Sequence, residues 1–265
     1  MADADSKFYH YTSLASFASA CQARGHGYYS PCRDKWAGGT RDEATRFCRN
    51  GDLSKVAAAE SLVEKLDAEI DAEGFWPVWQ PAVVGSFPLV PAYIAGTPES
   101  MLARTDVPDP RGGVEIWANT TVSASCSAAD MMRRGVVTLA FAMALSRVRN
   151  VSIVLYSTCD GSNVAIRMSS PLDFSEVCAA FCQPSITRHL IYGHAVPDGY
   201  SGCWSCWAET QRGADAERKA LEKYAGMPPD ALRLGTEKLG EYSSVTDDRL
   251  VEILNEKVRA YAGQQ

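Results

Sequence analysis

The sequence predicts an α/β (α+β) protein with a small mixed sheet around one central buried helix, flanked by helical N- and C-terminal parts. Three observations predict it. Residues Val114 to Ser123 alternate, with Val114, Ile116, Ala118, Thr120 and Val122 on one face and Trp117, Asn119, Thr121 and Ser123 on the other, as a strand requires. The stretch that follows, to about Arg147, is apolar nearly all round, which marks a helix surrounded by protein. Two short apolar runs, Val151–Ser157 and Val164–Met168, flank an Asp160-Gly161 turn and read as a strand and its return. Mixed strands and helices in this order give a layered core near residues 114–196. The chain divides into a 1–196 core and a 197–265 helical region packed on it or extending from it.

The remaining elements follow from local signals. Residues 7–32 are aromatic and polar with little period, and only a short helix around Ser13–Ala23 stands out. Thr40, three residues before Glu43, is the pattern of a capping box, so a helix runs from there to Gly51. A second helix spans about Ser54 to Ala72, with Val56, Ala59, Val63, Leu66 and Ile70 as its apolar stripe. Residues 74–113 carry seven prolines and read as a long connection with room for one short strand. Ser127 and Asp130 form another capping-box start, before the central helix. Asp173 caps a helix that stops at Pro184, and His189–Val196 reads as a last strand. From Ala208 the pattern is helical and charged, broken at Pro228-Pro229, with a final helix from about Asp247 to Tyr261.

The formal net charge of -6 argues against a diffuse polycation but leaves room for a local basic surface. The first residues lack the basic and apolar regions of a signal peptide, and no apolar run reaches the roughly 18 residues of a membrane span. The expectation is a cytoplasmic protein, and with nine irregularly spaced cysteines, one with reduced thiols. The acidic residues 60–73 and the charged C-terminal helices are candidates for partner contact or self-association.

Catalytic signatures are scarce. There is no phosphate-binding loop, no dinucleotide fingerprint and no nucleophile elbow, and His10, His26, His189 and His194 lack metalloprotease spacing, so a non-enzyme without a cofactor is expected. Cys203 and Cys206 form a C-x-x-C that would bind zinc only with two further ligands, for which Cys178, Cys182, His189 and His194 are candidates; redox chemistry and plain packing are the other readings. Asn119-Thr-Thr121-Val-Ser123, ending a strand before a helix, resembles the Asp-x-Ser-x-Ser metal site of von Willebrand A-like domains. The leading aspartate is replaced by Asn119, which removes a hard anionic ligand for magnesium. No metal is expected there.

The sharpest binding signal is Lys35 to Gly51. Asp42 and Glu43 occupy the first turn of the expected helix and would repel a phosphate, so Gly38 and Gly39 read as backbone punctuation, not an anion cradle. At about 100° per residue, Arg41 and Arg49 share a stripe with Arg46 beside it. Arg33, Lys35 and Trp36 approach from the preceding loop, with Tyr28 and Tyr29 upstream. Cations that follow a backbone, interleaved with rings that stack on bases, are what a single-strand platform needs. Arg133 and Arg134 would extend the track; at a helix start they oppose its dipole and call for a compensating anion.

Several loose motifs share their order with one family: Trp36-x-Gly-Gly-Thr40 with Glu43-Ala44, Val84-Gly85, Pro91-Ala-Tyr93-x-x-Gly96-x-Pro98-x-x-Met101, Arg134-Gly135, Leu172-Asp173, and Gln183-Pro184 through Arg188. Over residues 8–196 the chain resembles the Drc-type single-stranded DNA-binding RNA-polymerase cofactors of podoviruses that carry a giant virion RNA polymerase. The resemblance implies a bacteriophage protein acting in an infected bacterial host. It implies single-stranded DNA binding by a fold other than the OB barrel, and recruitment of a phage RNA polymerase to melted promoters as a transcription cofactor. The alternative expectation is a protein-interaction module with a degenerate A-like fold and no DNA binding.

Overall fold

Two sheets organise the chain. The computed structural model describes residues 7–24, 34–70, 75–108, 113–122, 126–147, 150–159, 162–169, 171–195, 217–229 and 231–234, with a few positions between 246 and 256. The larger sheet has five strands in the order β1-β7-β6-β5-β8, where β1 is Lys7–Tyr11, β5 Val114–Asn119, β6 Val151–Cys159, β7 Ser162–Met168 and β8 Leu232–Leu234. Strand β5 is parallel to β6 and β8, β7 is antiparallel to β6, and β1 runs parallel to β7. The described strands form an open mixed sheet, with no closed barrel.

Helix α6, Ala128–Ser146, makes the crossover from β5 to β6, and twelve of its residues are buried, as its all-round apolarity predicts. Its start is the expected capping box: Ser127 Oγ accepts from Asp130 N at 3.1 Å, and the Asp130 carboxylate reaches back to Ser127. Helices α1 (Leu14–Ala23) and α3 (Arg41–Asn50) start on boxes of the same kind, at Ser13 with Ser16 and at Thr40 with Glu43. Helix α4 spans Val56–Ile70, and α7, Phe174–Cys182, is capped by Asp173.

Alternation along the strands sorts the core into layers. Ile116, Ala118, Ile153, Leu155, Val164 and Ile166 face the main core with residues of α1, α3, α4, α6 and α7. Trp117, Val154, Tyr156 and Ala165 face the other side, against Leu221, Met227 and Ala231. Packing of α6 against α7 is close at Gly135, where a Cβ would lie 2.0 Å from the Phe181 carbonyl oxygen. Only a hydrogen fits that position.

Two expectations are corrected. The stretch His189–Val196 is not a strand: Ile186–Ile191 is a π-helical segment that continues into α8, Tyr192–Ala195. A short apolar run does not by itself separate a strand from a buried helix, and the sheet position beside β7 is taken by β1, which the aperiodic N-terminus concealed. The proline-rich 74–113 is not a plain connection. It holds a second, antiparallel sheet in the order β2-β4-β3, with β2 Phe75–Ala82, β3 Phe87–Pro88 and β4 Met101–Pro108, and a short helix α5, Val90–Ile94. Strand β2 lies at the edge, where proline is tolerated because no ladder donor is lost. Beyond residue 196 the described chain returns to the large sheet. It adds a π-helical segment, Leu221–Ala225, and then β8 beside β5. The helix expected from Asp247 to Tyr261 falls mostly outside the described residues.

Candidate functional site

Three features compete for a functional role. The first is the basic helix. The Thr40 side chain accepts from Glu43 N at 3.2 Å, and Glu43 Oε2 accepts from Thr40 N at 2.8 Å. Gly38 and Gly39 have φ of 80° and 153°, so they turn the chain into α3 in backbone regions that other residues avoid. Lys35, Arg46 and Arg49 are exposed and Arg41 is half-buried. Arg49 donates to Gln22 Oε1 at 2.8 Å, and the Arg46 guanidinium lies 5.2 Å from the Phe47 ring centroid.

The rest of the expected track is built differently. One face of the Trp36 ring carries the Arg188 guanidinium, 4.2 Å from its centroid. Arg188 is 4 % exposed and donates to the carbonyls of Trp36 and Cys126, while His189 Nε2 lies 2.9 Å from the Gly39 carbonyl oxygen. Trp36 and its loop are therefore pinned to the π-helical segment. Arg133 is half-buried, and Arg134, 7 % exposed, sits inside the fold and off the surface track. Tyr28, Tyr29 and Arg33 lie outside the described residues, as do Cys203 and Cys206. Among the described residues no cluster of His, Cys, Asp or Glu could hold a metal ion. Four described cysteines, Cys21, Cys48, Cys178 and Cys182, are free and buried, and burial pushes the Cys21 thiol up to about 12.

The second feature is a buried polar clasp at the carboxyl ends of β5 and β6. Asn119 Oδ1 accepts from Thr121 N at 2.7 Å, and Asn119 Nδ2 donates to Glu217 Oε1 at 3.1 Å. Thr121 Oγ1 is 2.9 Å from Ser157 Oγ and accepts from Thr158 N at 3.1 Å. Glu217 also accepts from Thr158 Oγ1 at 3.1 Å, from the Tyr156 hydroxyl at 3.4 Å and from Arg233 Nη2 at 2.6 Å. Burial raises the Glu217 carboxyl against the opposing pull of Arg233. Of the oxygens that the A-like resemblance would assign to a metal, those of Asn119 and Thr121 are engaged with protein groups and buried, and Ser123 lies outside the described residues. Glu217 and Arg233 had no sequence signal. One is a charge among many in a helical run, the other the middle of Leu-Arg-Leu.

The third feature is the surface of the small sheet. Val83, Val84, Phe87, Val90, Tyr93 and Ile94 are all exposed, Val84 by 81 % and Ile94 by 79 %. No residue of α5 is buried. The backbone beneath is nevertheless held, with Ser86 N donating to Leu102 O and Leu89 N to Ser100 O, each at 2.8 Å. From Phe75 to Ala103 the sequence carries a single charged residue, Glu99. Scattered exposed apolar residues are ordinary, and these six fall within twelve consecutive residues.

A family model described as a domain of unknown function, DUF7192, matches residues 5–233. The chain belongs to this family. No curated protein matches, and no solved structure does. The DUF7192 match takes in the basic helix, the polar clasp and the apolar lobe alike. Among the described residues of this DUF7192 chain, no helix is long and apolar enough to cross a membrane.

The α3 cap of the DUF7192 chain gives a direct stability test. Thr40→Ala is expected to cost about 1 kcal/mol in urea denaturation at neutral pH. Hydrogen bonds from the Thr40 backbone N–H and hydroxyl hold the Glu43 carboxyl below its ordinary value. A lowered carboxyl stabilises the fold above its unfolded pKa, and that contribution is lost as pH falls through the folded value. The Thr40→Ala penalty is therefore expected to shrink in acid.

Proposed function

We propose that this DUF7192 chain is a non-enzymatic protein-interaction module, in which the layered α/β core displays the lobe of residues 82–102 to a protein partner. The observation that carries this reading is the exposed, nearly uncharged set Val83, Val84, Phe87, Val90, Tyr93 and Ile94 on a hydrogen-bonded backbone. The internal use of Asn119 and Thr121 also favours a module that works without a metal. A photo-reactive amino acid placed at Tyr93 tests the reading in cells that make the protein. A covalent adduct with a polypeptide at Tyr93, and none from the same probe at Arg218, outside the lobe, is the expected result. No adduct at Tyr93 would overturn it.

A second reading keeps support from one observation: Lys35, Arg46 and Arg49 are exposed together on α2 (Asp34–Ala37) and α3. It is single-stranded DNA binding, with a phage RNA polymerase as the further partner that the Drc-type resemblance implies. Arg46→Glu with Arg49→Glu is expected to weaken, without abolishing, a gel shift with a single-stranded oligonucleotide run against duplex competitor. Losing two phosphate contacts should also flatten the salt dependence by roughly 0.7 per contact. Unchanged affinity and salt slope would sink this reading.

A further inference from the structure

We infer that the partner of the apolar lobe is a second copy of this chain, docked lobe to lobe about a two-fold axis. The inference rests on the interaction reading above and names its partner. Charge decides between the classes of occupant. A nucleic acid is held through cations on phosphates, and a lipid surface through cations on anionic headgroups. Residues 75–103 contain no lysine or arginine. A different protein is normally steered and selected by complementary charge, and Glu99 is the single charge this stretch can offer. A two-fold contact has the opposite requirement. It sets the same patch against itself, so like charges would meet and a neutral surface is favoured. The whole chain carries a net charge of -6, and a nearly uncharged contact adds no further like-charge repulsion between two copies.

The route of docking is also constrained. Pro77 and Pro81 stand four apart in the edge strand β2, an even spacing, so they fall on the same side of its backbone. Proline has no N–H to give a ladder, so it sits in edge strands with its nitrogen turned away from the neighbouring strand. Two outward donors are therefore missing from β2, and strand-to-strand joining along that edge is disfavoured. The exposed side chains lie on β3, α5 and the links beside them. Contact through that face remains, with Phe87 and Tyr93 as aromatic anchors of the kind that carry most of the affinity at interfaces.

Sedimentation velocity on the full chain over a hundred-fold dilution tests this. The wild type is expected to pass from dimer to monomer on dilution. The double variant Val84→Asp/Ile94→Asp is expected to stay monomeric throughout with an unchanged melting curve, since both side chains are exposed. A wild type that is monomeric at every concentration, or a double variant that still dimerises, would overturn the inference. The photo-reactive probe at Tyr93 separates it from the reading it rests on. An adduct of twice the chain mass supports the second copy. An adduct with a different protein rejects the second copy and leaves the interaction module standing, and the lack of any adduct rejects both.

Discussion

Gly135→Ala is expected to destabilise the protein by about 3 kcal/mol or to prevent folding, which is the upper range for overpacking a rigid site. The added Cβ would stand 2.0 Å from the Phe181 carbonyl oxygen, 2.4 Å from its carbon and 2.9 Å from Cys182 N. All three are backbone atoms of α7, so no side chain can swing aside. Relief requires α6 and α7 to separate, which would loosen Val137, Leu139, Phe141, Val177 and Phe181 together. Gly193→Ala is the matched control, since a Cβ there meets nothing within 4 Å, and it is expected to be neutral or slightly stabilising. Equilibrium urea denaturation of both variants checks the pair. Equal stabilities would show that the two helices are not packed as closely as described.

The second large effect is expected at the polar clasp. Arg233→Met leaves the Glu217 carboxylate buried without its cation, and breaking such a pair costs about 3–5 kcal/mol. The pH dependence has a definite sign. Burial already raises the Glu217 carboxyl, with Arg233 pulling it down. A carboxyl raised on folding gives a contribution that is complete below its unfolded pKa and is lost as pH rises through the folded value. Removing Arg233 lifts the folded value further, so the penalty should grow from mildly acidic to alkaline pH. Adding Glu217→Gln is expected to return most of the stability, because a neutral amide has no charge to strand. Denaturation at two pH values, for the single and double variants, measures both claims. A penalty independent of pH would mean that the lost packing of the arginine stem, not the stranded charge, governs the site.

The features legible in the sequence are those whose cause is local. The boxes at Thr40 and Ser127 and the Asp173 cap are satisfied within three residues, so the helix starts could be read directly. The alternation of Val114–Asn119 needs only a sheet with two different faces, and both faces are as expected. What escaped depends on distant partners. The aromatic run Lys7–Tyr11 becomes a strand because β7 offers it an edge, and Leu232–Leu234 because β5 does. The prolines of 75–108 argue against a sheet until β2 is known to be an edge. The candidate surfaces divide in the same way. Arg46 and Arg49 are exposed as their helical stripe implies, whereas Arg134 is buried within the fold and the Arg188 stack on Trp36 depends on the π-helical segment. The apolar residues 83–94 look like core in one dimension, and only the fold places them outside.

The order of the strands has a consequence for how the protein is made. Ile116 of β5 waits for Leu232, and Lys7 of β1 waits for Ser162. At the usual ribosomal pace of about 5–20 residues per second, the flank of β5 that β8 will cover stays vacant for roughly 6–23 s after that strand is synthesised. The nascent chain must carry a half-built sheet through that interval, with Trp117 and Tyr156 not yet covered by the segment that supplies Leu221 and Met227. Slower or faster synthesis between residues 120 and 232 changes how long that hydrophobic flank stays open to aggregation.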